Sequence, residues 1–269
     1  MTTLLPDVSR STEPLDYQHL PQPISAMAKS FADGFEIALH QHDRDQLLYA
    51  ISGVMHLQTD RAAWVVPPDR AVYIPASVPH TVSMYGQVDM RTLYIDPEAT
   101  TVRDRSLRVH HVSNLLRELI LALSAEPIAY ENGSRGDYLA KLIASEIERA
   151  SDLWLGTPLP RDARLQRLCA AFLADPSDTR GLEAWADIAG ASKRTLSRLF
   201  DHDMGMSFSA WRQRVRFHNA LEALSQGHPI SRVAAQNGYR SVSAFSVAFR
   251  KQMGVPPSAF TLGDPGGRE

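Results

Sequence analysis

The period at which apolar residues recur changes once along this chain, and that change bounds what it can fold into. Up to residue 96 the apolar residues come in short runs, at 35–39, 47–51, 54–57, 64–66, 71–74 and 90–95, separated by Pro, Gly and Asp. Short runs at this spacing predict a small β-sandwich or barrel. Ser52-Gly53 reads as a turn between two of the strands. From about residue 105 the period becomes helical. Leu115, Leu116, Leu119, Ile120 and Leu123 share one face, and after ENGSRG a second stripe follows at Leu139, Leu142, Ile143 and Ile147. The chain is therefore expected to be α+β and multidomain, with two helices that either pack on the sheet or pair with a second copy.

The boundaries follow from composition. Residues 1–30 are rich in proline and predict a loose arm, 31–104 the β domain, 105–160 a helical linker and 263–269 a tail. WLGTPLP, residues 154–160, reads as the hinge into an all-helical domain over 161–262. Charge divides along the same line: residues 1–160 carry a net −7 and residues 161–262 a net +6. A basic C-terminal domain suits a polyanion. No signal peptide or membrane-spanning run is read in the sequence, and one cysteine, Cys169, excludes an internal disulfide and a cysteine metal cluster. A cytoplasmic protein without a membrane partner is expected.

Two segments of the last third share one pattern. In 182–202, Leu182, Trp185, Ala186 and Ala189 mark a short helix stopped by Gly190, and Ser192 is placed to cap the next. There Leu196, Leu199 and Phe200 face a core, and Arg194, Ser197 and Arg198 the opposite side. In 230–253, Ile230, Val233 and Ala234 precede Gly238, Ser241 caps, and Phe245, Ala248 and Phe249 face inward. Ser243, Ser246, Val247 and Arg250 face outward. Residues 207–227 between them predict one long helix, at about 1.5 Å per residue. That is helix–turn–helix spacing, twice, joined by a basic helix.

GYRSVSAFSVAFRKQMGVPPSAF, residues 238–260, with ASKRTLSRLF and RVRFHNALEAL before it, resembles the DNA-binding domain of AraC/XylS-type transcription regulators. The resemblance spans about 100 residues. It implies two helix–turn–helix units set into successive major grooves of double-stranded DNA. It places the base contacts of the first unit at Arg194, Ser197 and Arg198, and those of the second at Val242, Ser243, Ser246 and Val247. The valines depart from the basic or amide-rich versions of the second helix, because they cannot donate hydrogen bonds. Most direct readout is therefore expected from the first unit. Lys193, Arg212, Arg216, Arg240 and Lys251 are the candidate phosphate contacts.

The spacing of His40, His42, Gln46 and Gly53 resembles the first cupin motif, with Gln46 where a glutamate usually stands. IPASVPH, residues 74–80, resembles the second motif and adds His80. Residues at i and i+2 on a strand point to one face, so His40 and His42 can both aim into a barrel. Three imidazoles suit a divalent metal. An amide is a poorer cation ligand than a carboxylate, which leaves open a pocket for an organic effector or histidines that only line the barrel. Tyr49, Trp64, Tyr73 and Tyr94 are candidates for lining such a pocket.

The order of the two domains implies a regulator whose cupin-like domain senses a small-molecule or metal effector. A homodimer through 113–123 and 138–149 is expected, with RNA polymerase as a partner if the chain activates. The competing readings are a metal-dependent cupin enzyme, a dioxygenase or isomerase with a helical appendage, and a DNA binder whose barrel only dimerises.

Overall fold

The computed structural model describes residues 11–68, 70–100, 106–150, 152–153, 156–253 and 256–260. The tail expected at 263–269 lies outside them. They divide into two compact units. The first takes the described residues up to Thr59 and from Val66 to 153; the second takes Asp60–Val65 and the described residues from Gly156 onward.

The strands are β1 (Ile24–Phe31), β2 (Glu36–His40), β3 (Asp45–Gln58), β4 (Ala62–Val66), β5 (Arg70–Ile74), β6 (His80–Ile95), β7 (Arg108–His111), β8 (Asp152–Leu153) and β9 (Thr157–Pro158). In the first unit they run β1-β6-β3-β5-β7-β8, all antiparallel, and β2 pairs with the opening residues of β6. The side-chain period of two then sorts the sheet into faces. Ile24, Ala26, Leu47, Tyr49, Ala71, Tyr73, Leu93 and Ile95 point one way. They pack on Leu116, Leu119, Ile120 and Leu123 of α1 (Asn114–Ser124), and on Ala140, Ile143 and Ile147 of α2 (Arg135–Arg149). The two helices therefore complete the core of the sheet domain, and are not a free linker. Leu115 and Leu142, expected on the buried stripes, lie outward, 54% and 52% exposed.

Two further expectations are corrected here. Ser52-Gly53 is not a turn: β3 runs through it, and its register against β6 shifts on either side of Ser52. Gly53 has φ +77°, and a Cβ there would lie 2.6 Å from the Gln87 carbonyl oxygen, so glycine marks a bulge where two backbones close. Nor is the stretch before residue 30 all loose arm. Ile24–Phe31 pairs along β6 from Ile95 to Val88. Ahead of it, the buried Arg44 guanidinium donates to the carbonyls of Gln18, Leu20 and Gln22 and fixes that segment.

The second unit is helical: α3 (Ala163–Ala174), a 3-10 turn at Leu182–Trp185 leading into α4 (Ala186–Ala189), α5 (Lys193–Asp203), α6 (Phe208–Ser225), α7 (Ile230–Gln236) and α8 (Val242–Met253). Gly190 ends α4 in the left-handed conformation, φ +67°, which glycine adopts without the Cβ penalty. The Ser192 hydroxyl then accepts from Thr195 N–H and starts α5. Ser241 does the same for α8 through Ala244 N–H. Leu196 and Phe200 of α5 enter a core with Leu165, Phe172, Trp185, Phe208 and Trp211. Phe245 and Phe249 of α8 form a second aromatic cluster, where Phe217 of α6 meets Phe249 edge-on. Thus α6 serves both helix–turn–helix units, burying Trp211 in one core and Phe217 in the other.

Within this unit β4 pairs with β9, Ala62 opposite Pro158 and Ala63 opposite Thr157. The Trp211 indole donates to the Pro158 carbonyl at 3.2 Å, and Arg214 donates to that of Gly156. Trp64, read from the sequence as a pocket aromatic, instead covers Gly156, where a Cβ would meet its ring at 2.6 Å.

Candidate metal centre and nucleic-acid interface

The face of the sheet turned away from α1 and α2 surrounds a cavity of about 510 Å³. Met27, Gln46, Leu48, Met90 and Tyr94 line it, alternating along their strands with the residues that face the helices. Tyr94 alone of the four expected aromatics lies here. Tyr49 and Tyr73 belong to the opposite face. Leu48 and Met90 differ by an even number from Gln46 and Tyr94, a parity legible in the sequence though not used there, whereas Met27 is placed only by its pairing with Thr92.

Histidines close one end. His40 is the last residue of β2 and pairs with His80, the first of β6, while His42 follows in the loop to β3. Ring centroids lie 4.8 Å apart for His40 and His42, 4.3 Å for His40 and His80, and 5.4 Å for His42 and His80. One nitrogen from each falls within 4.8 Å of the others. Asp45 arranges this without joining it. Its carboxylate accepts from the Ala76 N–H and the Tyr73 hydroxyl, and the Ser77 N–H donates to the His42 carbonyl. The loop that delivers His80 is thereby held against the start of β3.

Hydrogen bonding fixes what these groups offer. His40 Nδ1–H and His80 Nδ1–H each donate to a carbonyl two residues back, Ala38 and Val78, at 2.8 Å. A carbonyl can only accept, so the proton sits on Nδ1 and the Nε2 lone pair is free. The Nε2 atoms of His42 and His80 are buried without a hydrogen-bond partner. Gln46 is oriented by the same logic. Thr92 Oγ1 donates to the Leu47 carbonyl and so must accept from Gln46 Nε2, which leaves the buried Oε1 without a partner. Burial, with the neighbouring imidazoles, depresses the pKa of His42 to about 3. Burial likewise brings His80 down to about 4, against the bond to Val78. Neutral imidazoles with converging lone pairs form a donor set that fits a divalent transition metal.

In the second unit Arg194, Ser197 and Arg198 stand exposed on the side of α5 opposite Leu196 and Phe200. On α8, Val242, Ser243 and Val247 are exposed and Ser246 is half-buried. Arg240 and Lys251 are exposed, and Lys193 forms an exposed ion pair with Glu183 at 3.0 Å. Arg212 and Arg216 of α6, expected at phosphates, are engaged inside the unit. Arg216 donates to the carbonyls of Pro176 and Asp178 at 2.8 and 2.9 Å, and Arg212 to that of Arg180 at 2.7 Å.

The family models for a helix-turn-helix domain and a cupin domain match residues 185–262 and 30–96. The chain is 29% identical over 222 residues to the HTH-type transcriptional regulator NimR of Escherichia coli (strain K12), which covers 82% of this chain and 81% of that protein. It is 38% identical over 109 residues to the HTH-type transcriptional regulator RipA of Corynebacterium glutamicum, over 40% of this chain and 33% of that protein. It is similar to a solved structure of ToxT from Vibrio cholerae with a TM-score of 0.37 and 14% identity, covering 90% of this chain and all of that one. No helix among the described residues is long and apolar enough to cross a membrane.

Proposed function

We propose, from the premise that this chain is an AraC-type transcription regulator with a cupin domain ahead of its helix–turn–helix domain, that α5 reads the operator and that the three-histidine end of the cupin cavity senses the effector. The observation that carries the DNA assignment is the exposed trio of Arg194, Ser197 and Arg198 on the face of α5 opposite its buried leucine and phenylalanine. Arginine forks match the acceptor pair of guanine in the major groove. Val242, Ser243, Ser246 and Val247 of α8 contribute thymine-methyl and hydroxyl contacts. Lys193, Arg240 and Lys251 hold phosphates, and Arg212 and Arg216 act one step back, fixing the 176–180 loop.

In the cupin domain, His40, His42 and His80 hold a divalent metal, and the cavity beside them admits a small organic ligand. The convergence of unpartnered acceptors supports this, and the amide of Gln46 in the carboxylate position supports sensing over catalysis. The protein acts where its DNA is, in the cytoplasm, and a second copy pairs through the outer side of α1 and α2, where Leu115, Tyr138 and Leu142 are exposed.

The test is quantitative binding of the full chain to its genomic sites. Arg198→Ala is expected to cost about 1–3 kcal/mol at the specific site and much less on random DNA. Equal losses on both would overturn the readout assignment. Log affinity should fall linearly with log salt, as phosphate contacts release counterions.

A further inference from the structure

The donor set is neutral throughout: three imidazoles and, at the same cavity, the amide of Gln46. A divalent cation held there keeps its positive charge uncompensated. The carboxylates of the cavity are Glu13 and Glu36, both exposed, and Glu13 is paired with Lys29 at 3.9 Å. The nearest buried carboxylate in sequence, Asp45, is bound to Tyr73 and Ala76 and does not line the cavity. Three nitrogen ligands also leave at least one coordination position open. Away from the histidines Met27, Phe31, Leu48, Val82 and Met90 form an apolar wall, and Lys29, the cation of the lining, is paired with Glu13. A cavity of about 510 Å³ lies within the range of sites for small organic ligands, roughly 300–1,000 Å³.

We infer that the effector is an amphipathic organic anion, a carboxylate or its equivalent, whose head completes the coordination of the metal and whose apolar body fills the methionine- and phenylalanine-lined cavity. This rests on the metal reading of the three histidines given above. It goes beyond that reading by fixing the chemical class of the ligand. The residue at position 46 sets the strength of that demand: a glutamate would neutralise part of the charge and weaken the binding of an anion, whereas glutamine leaves the charge in full.

The experiment uses the full chain loaded with cobalt(II), whose visible spectrum reports a change of ligand. Phenylbutyrate should bind in a calorimeter at least tenfold more tightly than acetate, and should alter the cobalt bands. Phenylbutanol, of the same shape without the charge, should bind at least tenfold more weakly than phenylbutyrate and leave the bands unmoved. Gln46→Glu should retain cobalt and weaken phenylbutyrate at least tenfold, and His80→Ala should lose both. If cobalt binds at one equivalent but phenylbutyrate binds no better than phenylbutanol, or equally well after chelation, the anion inference is overturned and the metal centre stands. If the folded chain takes up no cobalt, the metal reading fails and this inference with it. Circular dichroism of each variant separates loss of a ligand from loss of the fold.

Discussion

Gly238 shows how much one residue can carry in a helix–turn–helix unit. Its φ is +74°, and a Cβ would lie 2.7 Å from the Ser177 carbonyl oxygen and 2.8 Å from Arg216 Nη2. Both the left-handed backbone and the close approach exclude a side chain. Gly238→Ala is expected to destabilise the second unit by about 1–2 kcal/mol from the backbone alone, and further from the clash. Thermal unfolding followed by circular dichroism checks it. The histidines make a second prediction at this scale. In the chelated, metal-free protein His42 and His80 have depressed pKa values, about 3 and about 4, so the unfolded chain binds protons first as the pH drops below about 6.5. Their contribution to stability is complete above that pH and is lost as the pH falls through about 4 for His80 and about 3 for His42. Denaturant midpoints across this window should decline in the chelated protein, and His80→Ala should flatten the decline.

At the scale of elements, the two recognition helices are built alike and armed differently. Each starts on a serine cap and buries a pair of apolar side chains one turn apart. Yet α5 exposes two arginines where α8 exposes two valines, at 41% and 71%. Base-pair changes under α5 should therefore cost more than those under α8, since a bidentate pair discriminates by about 1–3 kcal/mol. Competition with operator variants measures this. Ser192→Ala removes the cap of α5 and is expected to cost about 1 kcal/mol of stability. The periodicity that revealed these helices was legible because it is local. The bulge at Gly53 was not: glycine in an apolar run signals a turn or a bulge equally well, and only the pairing of β3 with β6 decides between them.

At the scale of the molecule, a piece of the cupin-matched sequence belongs structurally elsewhere. Asp60–Val65 lies inside the 30–96 match but is part of the helical unit, where β4 pairs with β9 and Trp64 covers Gly156. Trp64→Ala should therefore weaken the DNA-binding unit, by about 3–5 kcal/mol if the site does not collapse. Cys169 reports on it. This thiol is buried, and burial pushes its pKa up to about 12, so it is inert to alkylation while the unit is folded. Faster alkylation of Cys169 in the Trp64 variant is the expected result, and an unchanged rate would count against that role for the tryptophan.

Features that depend on neighbours along the chain are legible in the order of residues alone. These are the α+β order and the two helix–turn–helix units with their serine caps and their turns at Gly190 and Gly238. Side-chain period and backbone sterics act over a few residues, so a pattern of that length is enough to read them. The tertiary structure decided what depends on pairing across distance. It brought His80 to His40 through the start of β6, made Asp45 the tie that holds the loop of residues 75–79, and placed Tyr49 and Tyr73 on the helix side of the sheet. It also committed Arg212 and Arg216 to carbonyls more than 30 residues away. Register and packing fix those partners, and a local pattern holds no record of which distant group a side chain will meet.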